Sequence, residues 1–256
     1  MRFERITGNR RLVVVVMLAM LGAALAGGSM GCPAADEDPA AGGGGGSPGA
    51  AFDPEYPHGL WVGKKGEYLY IWPSGHFVTG RPFRDEKGVF DESLNLRRFD
   101  PELKGVVEFF PDPRAAHGKR VVERHESGGV AETVLRFDGH VWEMRWQRFS
   151  PSSRGSGGYV EDLVRPASEA SASSLSGRFA RSHAGGFTRI EFKPGNRVHI
   201  EISGDVVTGT SVDGEGSYTI NGWFMRVVFD SHEVLEDLFQ VIDDTVVLGN
   251  THADKQ

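Results

Sequence analysis

The chain is predicted to be all-β, an array of antiparallel strands closed into small barrels behind an N-terminal signal and a tether. Three observations carry this. Between Phe187 and Phe229, apolar and polar side chains alternate: Ile190 and Phe192 against Glu191 and Lys193, then Val198, Ile200 and Ile202 against Arg197, His199 and Glu201. Successive side chains of a strand point to opposite faces, so period-two alternation is the pattern of a strand with one face buried. The runs are punctuated by turn formers, Pro194-Gly195-Asn196 and Asn221-Gly222, the latter offering both positive-φ positions of a type I′ hairpin. Finally, 35 glycines and 13 prolines suit a turn-rich β protein, and 39% hydrophobic residues suffice for a core.

Residues 1–32 have the layout of an export signal. Arg2, Arg5, Arg10 and Arg11 form a basic start, and Leu12 to Ala26 is an apolar run of 15 residues broken only by Gly22. A membrane-spanning helix needs about 20, so the run suits a cleaved signal better than a span. Two processing routes are open. Ala24-Leu25-Ala26 offers cleavage after Ala26 and a soluble secreted product. Ser29-Met30-Gly31-Cys32 resembles the bacterial lipobox, with Ser29 where that pattern prefers Leu. Lipidation at Cys32 is the favoured expectation: it is the only cysteine, it lies just past the apolar run, and a tether follows. Acyl chains bury about 0.8 kcal/mol per methylene, and several together anchor a protein to membrane. Pro33, rather than Asp, follows the cysteine, which points to the outer membrane. Residues 33–56, rich in Pro, Ala, Gly and acids and including Gly42 to Gly46, cannot bury a core and are expected to be a disordered tether.

Charge excludes one class of partner. The net charge is −7; the first 32 residues carry four arginines and one glutamate, so the remainder carries −10. Such a surface repels phosphate backbones, and nucleic acid is not an expected partner. A single cysteine rules out an intramolecular disulfide.

Folded structure is expected from Tyr56. A first unit, 57–150, contains Gly59-Leu60-Trp61, a strand from Tyr68 to Trp72, the turn Pro73-Ser74-Gly75, a strand from His76 to Thr79, and strands at Val121-Val122, Thr133–Phe137 and Val141–Phe149. Asp138-Gly139 signals a hairpin. Between them Arg81–His117 is a charged, Pro-punctuated connection, with a short helix expected at Asp91–Phe99 and a strand at Val106–Phe110. Residues 151–174, Ser-, Gly- and Ala-rich, read as a linker, with Tyr159 to Val164 a short strand or docking segment inside it. The second unit, 175–250, ends with Val234–Ile242 and Thr245–Leu248, and His252–Gln256 is expected to fray. The units show a degenerate repeat. Gly59-Leu60-Trp61 matches Gly177-Arg178-Phe179; Leu69 to Gly75 matches Ile190 to Gly195; Phe137 to Trp142 matches Ile220 to Met225. About 75 residues is short for eight ordinary strands, so a single barrel over 57–250 is the alternative.

No motif specifies a reaction. Gly214-Glu215-Gly216-Ser217-Tyr218 is not Gly-x-Ser-x-Gly, no phosphate loop is present, and His-Glu-x-x-His is absent. His199 and Glu201 share a strand face, expected to be the solvent face. No metal or cofactor is expected. The aromatic residues Trp61, Tyr70, Trp72, Trp142, Trp146, Tyr218 and Trp223 are the candidate ligand-binding set: on the inward parity of a small barrel they either fill a core or line a cavity.

The Gly-x-aromatic openings, the strands ending at Pro/Gly turns, the element Gly216-Ser217-Tyr218-Thr219-Ile220-Asn221-Gly222 and the closing Asp243-Asp244-Thr245-Val246-Val247-Leu248 together resemble lipocalin-like small β-barrel domains of Gram-negative lipoproteins. The resemblance spans Gly59–Leu248 and implies fold more than function. The expected role is non-enzymatic: an outer-membrane lipoprotein that binds a small apolar ligand or an envelope protein or glycan. The alternatives are an interaction module with a filled core, and a hydrolase whose site is formed by the 81–117 loop.

Overall fold

The computed structural model describes residues 57–112, 118–149, 159–171, 175–183, 185–203 and 211–256, with positions 53 and 55. The stretch read as an export signal, with Cys32, and most of the stretch read as a tether lie outside the described residues. The body is two closed eight-stranded antiparallel barrels. The first comprises β1 (Gly59–Gly63), β2 (Tyr68–Ile71), β3 (His76–Thr79), β4 (Lys104–Pro111), β5 (Lys119–His125), β6 (Val130–Phe137), β7 (Trp142–Phe149) and β8 (Tyr159–Pro166). The second comprises β9 (Gly177–His183), β10 (Gly186–Lys193), β11 (Arg197–Ser203), β12 (Val212–Asn221), β13 (Phe224–Phe229), β14 (Val234–Ile242), β15 (Thr245–Leu248) and β16 (Thr251–Lys255). Among the described residues the one helix is α1 (Glu92–Arg98), between β3 and β4. Asp91 caps it, its side chain accepting from Leu94 N at 2.5 Å, as an N-cap aspartate should.

Each strand pairs with its sequence neighbour, and each barrel closes by first strand against last: β1 with β8, and β9 with β16. Interior parity follows the sequence alternation. In the second barrel Phe179, Ile190, Phe192, Val198, Ile200, Tyr218, Met225, Val227 and Phe239 form one interior cluster. In the first, Trp61, Leu69, Ile71, Phe77, Val107, Val121, Leu135, Met144, Trp146 and Val164 form another.

A third apolar cluster lies between the barrels. Leu60, Val62, Tyr68, Tyr70 and Val78 from β1–β3 meet Phe224, Leu238, Ile242 and Val247 from β13–β15. Of these, β1, β2, β3 and β15 are buried on both faces, which is why their sequences are nearly continuous apolar runs. The 80–103 connection straps the seam. Its Phe90 stacks on Trp223 (5.9 Å between ring centres, 10° between planes) and meets Tyr70 edge-on at 4.8 Å. Arg81 and Arg84 of the strap pair with Asp237 and Glu236 of β14.

Several expectations shift. The eighth strand of the first barrel, β8, lies inside the stretch read as a linker, because its alternating Asp162 and Val164 complete the barrel wall. The last residues do not fray: β16 is needed to close the second barrel. The strand within the 81–117 connection, β4, extends beyond Val106–Phe110 at both ends. The Asn221-Gly222 hairpin is set one residue later than a type I′ turn there would place it. Asn221 pairs with Phe224, leaving Gly222 and Trp223 in the loop, and only Gly222 takes positive φ (58°), the pattern of a II′ turn. Of the repeat matches, the first two join equivalent strands. The third does not: 137–142 joins strands six and seven of its barrel, whereas 220–225 joins four and five. A better equivalence is a glycine on each fourth strand, Gly105 and Gly216, opposite His125 and Phe229, the last residues of each fifth strand. A Cβ on Gly216 would lie 2.5 Å from the Val228 carbonyl oxygen, and one on Gly105 would collide with the Arg124 backbone.

Candidate functional site: the cleft between the barrels

The seven candidate aromatics fall in four places. Trp61 and Trp146 sit within the first barrel, 0% and 2% exposed, where Trp146 packs edge-on to Phe77 at 5.2 Å. Tyr218 sits within the second, edge-on to Phe192 at 5.4 Å. Tyr70, Trp72 and Trp223 belong to the seam, and the Trp72 indole donates to the Phe90 carbonyl at 2.8 Å. Burial raises the Tyr70 phenol to about 12. Trp142 stands half-buried at the start of β7, against Phe137. Both barrel interiors are thus occupied by packed side chains, and the structure does not gather the seven around one barrel cavity.

It does bring two of them to one cleft. A cleft of about 550 Å³ opens between the barrels beside the seam, and Trp142 and Trp223 line it with Val62, Val141, Val241 and Ile242. Trp223 reaches it because the β12–β13 turn carries it on the outward side of the second barrel. The connection from β8 supplies Ala167 and Ser168, and β14 supplies Gln240. The parity of β14 explains that placement: Leu235, Phe239 and Val241 face its own barrel, while Leu238 and Ile242 face the first. Gln240 shares the second parity.

Gln240 is only 2% exposed. Its Oε1 accepts from Ser168 N at 3.2 Å, which fixes the amide orientation and leaves Nε2 buried with no acceptor among the described residues. A buried unsatisfied amide costs about 1–3 kcal/mol. Two charged groups of the cleft, Arg165 and Asp243, are already engaged. Arg165 donates from Nε and Nη2 to Glu143 Oε1 (2.8 and 2.5 Å) and from Nη1 to Asp243 (3.1 Å). Burial opposes the Arg165 charge, but these two carboxylates outweigh it and raise its pKa. The Lys64 ammonium, 2.5 Å from Asp243, holds that carboxyl below the usual range.

The polar residues inside the first barrel lie toward its other end. Glu123 and His125 are both buried, with His125 Nε2 3.5 Å from Glu123 Oε2. His125 Nδ1 lies 3.0 Å from the Glu102 carbonyl, which can only accept, so Nδ1 carries the hydrogen. Neither Glu123 oxygen accepts a hydrogen bond from a described residue; burial raises its pKa, and His125 partly offsets this. Glu67 is raised likewise, chiefly by burial, with neighbouring Asp162 adding to it; the Asp162 carboxylate is itself held by Arg148 at 2.5 Å.

One surface cluster has the residue types of a hydrolytic triad: Ser74, His76 and Glu92. Ser74 Oγ lies 3.1 Å from His76 Nδ1 and donates to Glu92 Oε1 at 2.6 Å, while Glu92 Oε1 also lies 2.6 Å from His76 Nδ1. Serine and carboxylate meet at the same ring nitrogen. A relay needs them on opposite nitrogens. His199 lies on the outer face, its Nε2 3.1 Å from Asp213. Among the described residues no three His, Cys, Asp or Glu side chains group as a metal site.

Sequence reasoning missed Gln240 and Arg165. Only Gln240 left a signal: it is the single amide in Leu238-Phe239-Gln240-Val241-Ile242, a run apolar on both parities. Comparison with protein-family models, curated proteins and solved structures finds no match to this chain.

Proposed function

We propose that the protein is an exported, lipid-anchored binding module of the bacterial envelope, and that it holds a small apolar molecule in the cleft between its barrels. The cleft is the observation that carries this reading. Its volume lies in the range of small-molecule sites, and its wall is largely apolar with few polar groups. Two indoles offer broad apolar faces. The packed interiors argue against a ligand inside either barrel. The basic start, the apolar run and Cys32 support export and lipidation.

A second reading, an interaction module, is favoured by one feature. Phe137 is 51% exposed and touches Trp142 at the cleft mouth, so apolar surface continues outward from the cleft. The Ser74, His76 and Glu92 cluster lends the hydrolase alternative no support, because Ser74 and Glu92 converge on one nitrogen of His76.

Native mass spectrometry of the full chain, purified gently from its own envelope, decides between the first two. A reproducible bound mass of a few hundred daltons, lost in Trp142→Ala, is the expected result. A clean unliganded mass moves the assignment to the interaction module.

A further inference from the structure

We infer that the cleft selects a neutral acyl compound, an ester or amide whose carbonyl oxygen accepts from Gln240 Nε2 while its alkyl chain lies against Trp142 and Trp223. The inference rests on the cleft being a ligand site and adds the chemistry of the headgroup.

Three observations lead to it. First, the one polar side chain that β14 contributes to the cleft lining is an amide with half its capacity used. Ser168 N holds Oε1, so the other end can only donate, and it has no acceptor among the described residues. A ligand atom that answers it must be an acceptor. Second, the cation of the lining is not spare to balance a carboxylate. All three Arg165 nitrogens are engaged by Glu143 and Asp243, and Asp243 is held further by Lys64. Third, the remaining charge on the lining is Glu169, an exposed carboxylate, which repels an anionic head. An ammonium head, though attracted by Glu169, carries no lone pair and leaves Gln240 Nε2 unanswered. The polar head left over is uncharged and accepting, and the apolar walls supply the chain site.

Three probes sharing one chain separate these features: methyl decanoate, decanoate and decylamine. Each is titrated into the full chain carrying Cys32→Ala, with tryptophan fluorescence as the readout of Trp142 and Trp223. Methyl decanoate is expected to bind at least tenfold more tightly than either charged probe. Gln240→Met, close in volume but without a donor, is expected to weaken methyl decanoate about tenfold, the worth of one buried hydrogen bond, and to leave decylamine unchanged. If the three probes bind equally, or Gln240→Met leaves methyl decanoate unaffected, the headgroup inference is overturned while the cleft stands. If no probe perturbs the fluorescence, the cleft reading falls and the inference with it. Should Gln240→Met fail to fold, the affinity order of the three probes on the native side chain is decisive without it.

Discussion

Glu123 is a carboxyl group with no hydrogen-bond donor among the described residues except a histidine nitrogen 3.5 Å away, and that arrangement makes stability depend on pH. Burial raises its pKa above the ordinary 4.5. A raised acid binds its proton more tightly in the folded state. Its contribution is therefore fully present below pH 4.5 and is lost as pH rises through the folded value. Glu123→Gln should be more stable than the native chain at pH 7 by about 1–3 kcal/mol. The gap should close toward pH 4. Thermal melts of both chains across that window check it, and a variant less stable at pH 7 would show that the His125 contact outweighs the burial cost. Nothing in Val121-Val122-Glu123-Arg124-His125 announces this. The acid and the two basic residues of that stretch look like a solvated face, and only the register of β5 turns Glu123 and His125 inward. Gln240, by contrast, is legible as an anomaly, a lone amide in an apolar run, though not as the wall of a cleft.

At the level of elements, the strands are readable and the strap is not. Alternation and turn residues point to Val234–Ile242 and Thr245–Leu248, and β14 and β15 occupy those same spans. The helix at Asp91–Phe99 is visible through its capping aspartate and apolar Leu94 and Leu96. What the 80–103 connection packs against is hidden, because Phe90 finds Trp223 more than a hundred residues away. Long-range partners leave no local period. The packing makes this connection part of the core rather than a mobile lid. Phe90→Ala removes a ring that touches Tyr70, Trp223 and Phe224 and should cost about 3–5 kcal/mol. Chemical denaturation followed by tryptophan fluorescence measures it; a loss under about 1 kcal/mol would show that the strap is peripheral.

For the whole molecule, one barrel and two are both compatible with the strand pattern, and two closed barrels are present. Length is what leaves the choice open. Eight strands fit into Gly177–Lys255 because β15 has four residues and β16 five, and because the turns at 222–223, 243–244 and 249–250 hold two residues each. The aromatic clustering of the first half is legible, but its cause is not: Tyr70 and Trp72 mark the seam with a second barrel, not a ligand wall of the first. The lipid-anchor proposal belongs to this scale. Cys32→Ala should move the protein from the membrane to the soluble fraction, read by fractionation, and continued membrane association would refute lipidation. The order of the strands carries one more consequence, for how the chain folds. Every ladder but two joins neighbours in sequence, so hairpins can zip one after another with little loop entropy lost. The exceptions are the closures, β1 on β8 with three residue pairs and β9 on β16 with two. Each must bring together ends separated by the whole barrel, and each has few bonds to show for it. Ring closure should therefore be the slow step of folding, and the same two ladders should be the first to open when the native protein breathes.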